Sequence, residues 1–259
     1  MDNISITIVA YHNYADIKEA IHTIEKYTDK NIKKHIYIVD NGAESGRNID
    51  DFKNFISVYN DVEYLDTGRN LGFGKGHNYV IDRIDSKFHA IVNPDIILKE
   101  DSFNKLISFM NTDEGIGMCV PKLIDEYGNM QLAYRKDPTV FDMFIRFFCK
   151  RLFQNRMKSH TLQDKDFTVP FQVPFAQGSF LIIRTQLFKS LGGFDDDFFM
   201  YMEDADLCRR VNQKSRLMYC PDTEIIHKWE RDSHRNSKLF IAHLKSMKKY
   251  FCKWGYTWF

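Results

Sequence analysis

Three carboxylates stand within four residues at Glu203-Asp204-Ala205-Asp206, just after the turn Gly192-Gly193-Phe194-Asp195 and the run Phe198-Phe199-Met200-Tyr201. Acids at a helix start complement the helix dipole, so a structural role is open to them. Asp206 with Arg209 or Arg210 reads equally well as an i,i+3 or i,i+4 pair. One acid that reaches a cleft is enough to take a proton from an attacking hydroxyl. Asp204 is the candidate base, with Glu203 as its alternative. A second acidic site closes the apolar run Phe88–Val92 in Asn93-Pro94-Asp95, where proline restricts the backbone and fixes the aim of the carboxylate. Asp95 there suits a hard cation such as Mg²⁺ or Mn²⁺ shared with substrate phosphate oxygens. The competing reading is a plain Asx-Pro-Asp turn.

Asp40 follows Tyr37-Ile38-Val39 in the same way and could accept hydrogen bonds from a ribose or a pyrimidine; a turn cap in Asp40-Asn41-Gly42 is the alternative. Arg69-Asn70-Leu71-Gly72-Phe73-Gly74-Lys75-Gly76-His77-Asn78 is a glycine-rich loop entering a helix. Such a loop lets backbone approach an anionic ligand. Its G-x-G-x-G spacing after the third strand fits neither a dinucleotide fingerprint nor a P-loop. His227, placed beyond the last strand, is a structural histidine or, at a shared cleft, a ligand for metal or diphosphate.

The elements that must position these residues alternate. Ile4–Val9, His35–Val39, Val62–Leu65, Phe88–Val92 and Ile116–Val120 read as strands. Helices follow from Ile17, Ala20, Ile21 and Ile24; from Ile49, Phe52, Ile56 and Tyr59; over His77–Arg83; and from Phe103, Leu106, Ile107 and Met110. This order predicts a parallel α/β sheet whose ligands bind at the C-terminal strand ends, where Asp40 and Asp95 both fall. Beyond residue 121 the pattern changes. A hairpin turn is expected at Asp125–Asn129, a mobile helical insertion over 138–168, one strand over Phe175–Ile183, a helix over Glu203–Gln213, and a strand Leu217–Cys220 stopped by Pro221.

With 36 Lys and Arg against 35 Asp and Glu, the net charge of +1 offers no field for nucleic acid. Five scattered cysteines without a CxxC pair read as reduced thiols of a cytosolic protein and disfavour zinc. The first ten residues run straight into a strand rather than a signal peptide, and no apolar stretch approaches the ~20 residues that span a bilayer. Residues 144–153 and 248–259 mix bases with aromatics. Contact with an anionic membrane surface, packing on the domain, and a homodimer contact all fit them.

Six motifs in order resemble the family-2 inverting glycosyltransferases of GT-A fold, nearest their bacterial rhamnosyltransferase branch. They are Ala10-Tyr11-His12-Asn13, Val39-Asp40-Asn41-Gly42, Asn70–Asn78, Asn93-Pro94-Asp95, Gly192–Asp195 and Glu203–Arg209. The resemblance covers about residues 4 to 230. It implies a Rossmann-like mixed sheet flanked by helices: a GT-A domain over 1–230 with a nucleotide-binding half (1–120), an acceptor-binding half (121–230), and a helical tail over 231–259. It also implies that Ala10, Tyr11, Asn13 and Asp40 meet the nucleotide, and that Asn70, Gly72, Phe73, Gly76 and Asn78 line the donor site. Asp95 takes the last place of a D-x-D metal motif whose first place is Asn93 here. Asp204 falls on the catalytic base, His227 on a late metal or diphosphate ligand, and Gln177 in Gln177-Gly178-Ser179 on the sugar or acceptor.

The expected activity is transfer of L-rhamnose from dTDP-L-rhamnose, with Mg²⁺ or Mn²⁺, to a lipid-linked saccharide in cell-surface polysaccharide synthesis (O-antigen or capsule). Its expected place is the inner face of the cell membrane. A UDP-hexose or UDP-N-acetylhexosamine donor also fits. A sugar nucleotidyltransferase should carry a basic glycine loop after its first strand, where this chain has Tyr11-His12-Asn13-Tyr14. A non-catalytic sugar- or partner-binding subunit has no need of both Asp95 and Asp204.

Overall fold

The computed structural model describes residues 2–42, 47–149, 151–228 and 237–258. The first half alternates as the hydrophobic pattern dictates: β1 (Asn3–Ala10), α1 (Tyr14–Tyr27), β2 (Lys33–Asp40), α2 (Arg47–Ile56), β3 (Val62–Asp66), α3 (Phe73–Asn78), β4 (Phe88–Val92), β5 (Ile96–Ile97), α4 (Ser102–Asn111) and β6 (Ile116–Ile124). Ile17, Ala20, Ile21 and Ile24 form the buried stripe of α1; Ile49, Phe52 and Ile56 form that of α2. The second half comprises β7 (Tyr134–Arg135), α5 (Val140–Phe144), a π-helical turn Ile145–Cys149, α6 (Gln154–His160), β8 (Phe171–Gln172), β9 (Phe175–Ala176), β10 (Phe180–Arg184), α7 (Thr185–Ser190), α8 (Glu203–Lys214), β11 (Arg216–His227) and α9 (Ser237–Trp254).

The main sheet runs β3-β2-β1-β4-β10-β6-β11-β5, with β8 added on β11; β7 and β9 form a separate antiparallel pair. β3, β2, β1 and β4 are mutually parallel, and β10 lies antiparallel between β4 and β6. The sheet is therefore mixed. Its parallel part brings Asp40 and the β4 tip to one edge, as strand-end binding requires. The hairpin at Asp125–Asn129 closes through Gly128 N–H to Asp125 O at 3.0 Å and Asp125 N–H to Asn129 O at 2.9 Å.

Four boundaries differ from expectation. The stretch Phe175–Ile183 is two strands, because the backbone at Gln177-Gly178-Ser179 bonds elsewhere. Gln177 N–H donates to Ala133 O, Gly178 N–H to Asp204, and Ser179 O accepts from Asn93. β11 does not stop at Pro221. Its register against β6 shifts between Tyr219 and Glu224, an irregularity that absorbs a residue with no N–H to donate. His227 consequently ends β11, paired with Ile96, rather than lying beyond it. The third helix covers Phe73–Asn78 rather than His77–Arg83. Gly74 and Gly76 sit inside it because an added Cβ would come within 2.9 Å of Phe194 and of Val9. Finally, the line between halves at 120/121 falls inside β6.

Within the expected insertion over 138–168, the described helical residues are α5, the π turn and α6. The tail helix α9 packs against α8: Trp254 Nε1–H donates to Asp206 at 2.9 Å, and the Arg209 guanidinium lies 4.6 Å over the Trp254 ring. The proposed domain limit at 230/231 lies outside the described residues, as do Lys150 and Phe259, each part of an aromatic-basic stretch.

Candidate active site

The α8 start is delivered by a strained turn. Tyr201 and Met202 both adopt φ 69°, a left-handed conformation that costs a non-glycine residue about 1–3 kcal/mol. The surroundings hold it there. The Tyr201 ring stacks on His243 with centroids 4.5 Å apart, and Ser246 Oγ donates to Met200 O at 2.7 Å. Asp206 is spent structurally: it accepts Arg210 Nε–H at 2.7 Å, Lys253 at 2.7 Å and the Trp254 indole. This is the i,i+4 pair the spacing allows. Asp204 instead faces a cavity, with one oxygen accepting Gly178 N–H at 3.2 Å and the other Ala205 N–H at 2.8 Å.

Burial raises the Asp204 pKa above the ordinary aspartate value. Glu203 is buried, its Oε2 has no hydrogen-bond partner among the described residues, and desolvation together with the Asp204 charge pushes it up to about 8. The two backbone N–H bonds to Asp204 favour the charge there over Glu203.

At the β4 tip, Asp95 Oδ2 lies 3.4 Å from His227 Nε2, and Asn93 Nδ2 lies 3.5 Å from the same nitrogen. Gln131 sets the histidine. Its Nε2 donates to His227 O at 2.6 Å, which turns Oε1 toward Nδ1 at 2.9 Å. Nδ1 must then carry the proton, and Nε2 presents its lone pair toward Asp95. A carboxylate oxygen and an imidazole lone pair facing each other fit a divalent cation that draws its remaining ligands from substrate oxygens. Among the described residues no group of three or more His, Cys, Asp and Glu gathers around such a point.

The other candidates for nucleotide contact fall into two sets. Asp40 is fully buried and accepts from Tyr14 Oη at 2.7 Å, Tyr64 Oη at 2.7 Å and Gly42 N–H at 2.9 Å, which ties β1–α1, β2 and β3 together. Ala10 is buried at the adjacent strand end; Tyr11 is exposed, and its N–H is held by Asn13 Oδ1 at 2.9 Å. In the glycine loop, Asn70 Oδ1 accepts Gly72 N–H at 2.8 Å, and the Gly72 carbonyl accepts Asn41 Nδ2 at 2.8 Å. Gly76 is buried against Val9. Asn78 points the other way: both ends of its amide bond the Phe194 backbone at 2.8 Å. It braces the Gly193 turn rather than the donor edge.

One cavity of about 260 Å³ reaches from Asp204 to Asn93, two residues before Asp95. Asn93, Phe73, Gln177, Glu203 and Asp204 line it, along with Arg135, Arg146, His160, Met200, Tyr201 and His243. Of the last group, Arg135, Arg146, His160 and His243 escape a reading by motifs. Arg135 has no periodic or spacing signal, and Arg146 lies in a stretch whose aromatics point toward a surface role. His243 reaches the cavity only because α9 folds back. His160 is 3.4 Å from Asp142, which also holds Arg156 at 2.5 Å; burial lowers the His160 pKa to about 4, so it is neutral.

The family model described as "Glycosyl transferase family 2" matches residues 5–192. Rhamnosyltransferase WbbL of Escherichia coli (strain K12) is 29% identical over 211 residues, 78% of this chain and 77% of that protein. The N-acetylglucosaminyl-diphospho-decaprenol L-rhamnosyltransferase of Mycobacterium tuberculosis is 23% identical over 263 residues, 95% of this chain and 82% of that protein. The crystal structure of GalNAc-T7 with UDP, GalNAc and Mn²⁺ superposes with a TM-score of 0.70 at 15% identity. It covers 96% of this chain, which spans about half (48%) of that one.

Proposed function

This chain belongs to glycosyl transferase family 2 with the GT-A fold, and we propose that it moves L-rhamnose from dTDP-L-rhamnose onto a hydroxyl of a lipid-linked saccharide, with inversion. A single cavity lined by both Asn93, beside Asp95, and Asp204 carries this assignment, because a displacement needs leaving-group stabilisation on one side of the sugar and a base on the other. Two relatives named as rhamnosyltransferases support the donor; the mycobacterial one, named for a diphospho-decaprenol acceptor, supports the lipid link.

Asp204 takes the proton of the acceptor hydroxyl as that oxygen attacks the anomeric carbon. Glu203, kept protonated by burial, leaves Asp204 the only charged acid of the pair. The sugar–phosphate bond breaks opposite the attack, so no enzyme-bound intermediate forms. Asp95 and His227 would hold Mg²⁺ or Mn²⁺, which when bound supplies positive charge to the departing diphosphate. Gln131, bonded at Nδ1 and at the backbone carbonyl, turns His227 Nε2 toward Asp95 for that role. Gln177, on the cavity wall, is positioned for the sugar or acceptor; Ala10, Tyr11, Asn13, Asp40 and the Asn70–Gly72 turn frame the nucleotide end.

Calorimetric titration with dTDP and UDP, each with and without Mn²⁺, tests the proposal. Metal-dependent binding of dTDP in preference to UDP is expected. A preference for UDP would overturn the rhamnosyl donor and leave the transferase; binding of neither would overturn the nucleotide site. EDTA should abolish transfer and added Mg²⁺ or Mn²⁺ restore it. Activity that survives exhaustive chelation would remove the metal role of Asp95 and His227.

A further inference from the structure

Arg135 and Arg146 line the Asp204 cavity, and among the described residues neither guanidinium makes a hydrogen bond to protein. Other recessed arginines of this fold behave differently. Arg210 bonds Asp206 and the carbonyls of Leu191 and Gly193; Arg156 bonds Asp142; Arg184 bonds the carbonyls of Met110 and Ile116. Arg135 has only the Phe175 ring, 5.7 Å away. Burial lowers the pKa of both, Arg135 to about 10, which leaves them charged at neutrality. With Glu203 and His160 neutral, two cations face the one carboxylate of Asp204. Ten N–H donors are left for something that enters the cavity.

Planar guanidinium forks match phosphate oxygens. The side on which they stand identifies whose phosphate it is. Both arginines act electrostatically on Asp204, and the base lies beside the incoming hydroxyl, across the sugar from the leaving diphosphate at Asp95. An anion held by these two side chains therefore arrives with the acceptor. Arg146 comes from the π turn; Phe148 of that turn and Phe144, the last residue of α5, lie two residues to either side and are exposed. The same turn thus presents a cation inward and aromatic surface outward.

We infer that Arg135 and Arg146 form a subsite for a phosphate or diphosphate ester on the acceptor. The inference rests on the assignment of Asp204 as the base of a transferase. The exposed Phe144 and Phe148 offer a path for an apolar chain on that ester; a water-soluble sugar phosphate would use the arginines alone.

Farnesyl phosphate and inorganic phosphate are the probes, titrated into the chain with and without saturating nucleoside diphosphate and Mg²⁺. With the nucleotide in place, farnesyl phosphate should still bind, inorganic phosphate more weakly. Arg146→Gln should weaken both by about tenfold or more, the loss expected of a charge-assisted bond, with nucleotide affinity unchanged. Arg146→Lys should recover part of the loss. Arg135→Gln should act alike; where its packing on Phe175 prevents folding, by circular dichroism, the Arg146 variants decide. No anion binding once nucleotide is present, or equal affinity in Arg146→Gln, overturns the subsite. Equal affinity of the two probes in the wild type, with the loss in Arg146→Gln, keeps the subsite and assigns it to a soluble phosphate ester. Failure of nucleotide to bind would strike the transferase reading instead, and the phosphate arms without nucleotide would still decide the subsite.

Discussion

Adjacent carboxylates in a water-poor cavity cannot both ionise cheaply, and here the two backbone N–H bonds that Asp204 accepts favour its ionisation over that of Glu203. Asp204→Asn should keep the fold and nucleotide binding yet lower transfer by about 10²–10⁴, the usual worth of a positioned base; near-normal turnover would refute the assignment. Because burial raises the Asp204 pKa, the acid limb of the rate profile should lie above the ordinary aspartate value of about 3.9. Glu203 has a stability consequence. Its folded pKa is raised, so its contribution is complete below the unfolded value of about 4.3 and is lost as pH climbs toward about 8. Wild type should therefore lose more stability than Glu203→Gln between about pH 5 and pH 8, measured by denaturant titration. Equal slopes would mean that Glu203 is ionised throughout. The position of Asp95 was legible because it follows β4, whose hydrophobic run is strong; that of Asp204 because acids cluster at the start of α8. Arg135 and Arg146 were not, since an arginine without a local partner looks in sequence like any solvated base.

Elements set by hydrophobic periodicity were legible almost to the residue, as in β4 and the buried stripe of α1. Breaks set by tertiary contacts were not. Whether Pro221 ends a strand depends on a neighbour able to shift register, and whether Gly178 interrupts one depends on Asp204 claiming its N–H. Gly72 is the sharpest such case. Its φ is 83°, an added Cβ would overlap the Phe199 carbonyl oxygen, and Phe73 N–H donates to that oxygen at 3.1 Å. The loop before α3 is thereby locked to the loop before α8. Gly72→Ala carries both backbone strain and this overlap, and should lower the melting temperature by more than about 5 °C. An unchanged melting curve would show that the two loops are not held against each other.

Over the whole molecule, two segments separated by a hundred residues become one face. Phe147 of the π turn meets Phe240 and His243 of α9 with centroids 5.4 and 5.2 Å apart, and Val140 and Phe141 N–H donate to Thr257 and Trp258 carbonyls. The aromatic-basic character of each segment was legible; their union was not, because it depends on α9 folding back over α8. Phe144, Phe148, Leu152, Ile241, Leu244, Tyr256 and Trp258 stay exposed on these segments, Leu152 at 81%. α9 carries five lysines and no acid; Lys249 and Lys253 bond the Asp195–Asp197 turn, while Lys245 and Lys248 stay in solvent. No described helix is long and apolar enough to cross a membrane. The exposed aromatics and lysines of this face are expected to lie on an anionic membrane surface. Apolar insertion and anionic attraction should then combine. The protein should co-sediment with phosphatidylglycerol vesicles more than with phosphatidylcholine vesicles, and less as salt rises. Leu152→Ser with Trp258→Ser, both exposed, should leave the melting temperature unchanged and cut the bound fraction by about tenfold or more. If wild type ignores anionic vesicles, or the double variant binds as wild type does, this face does not act at a membrane.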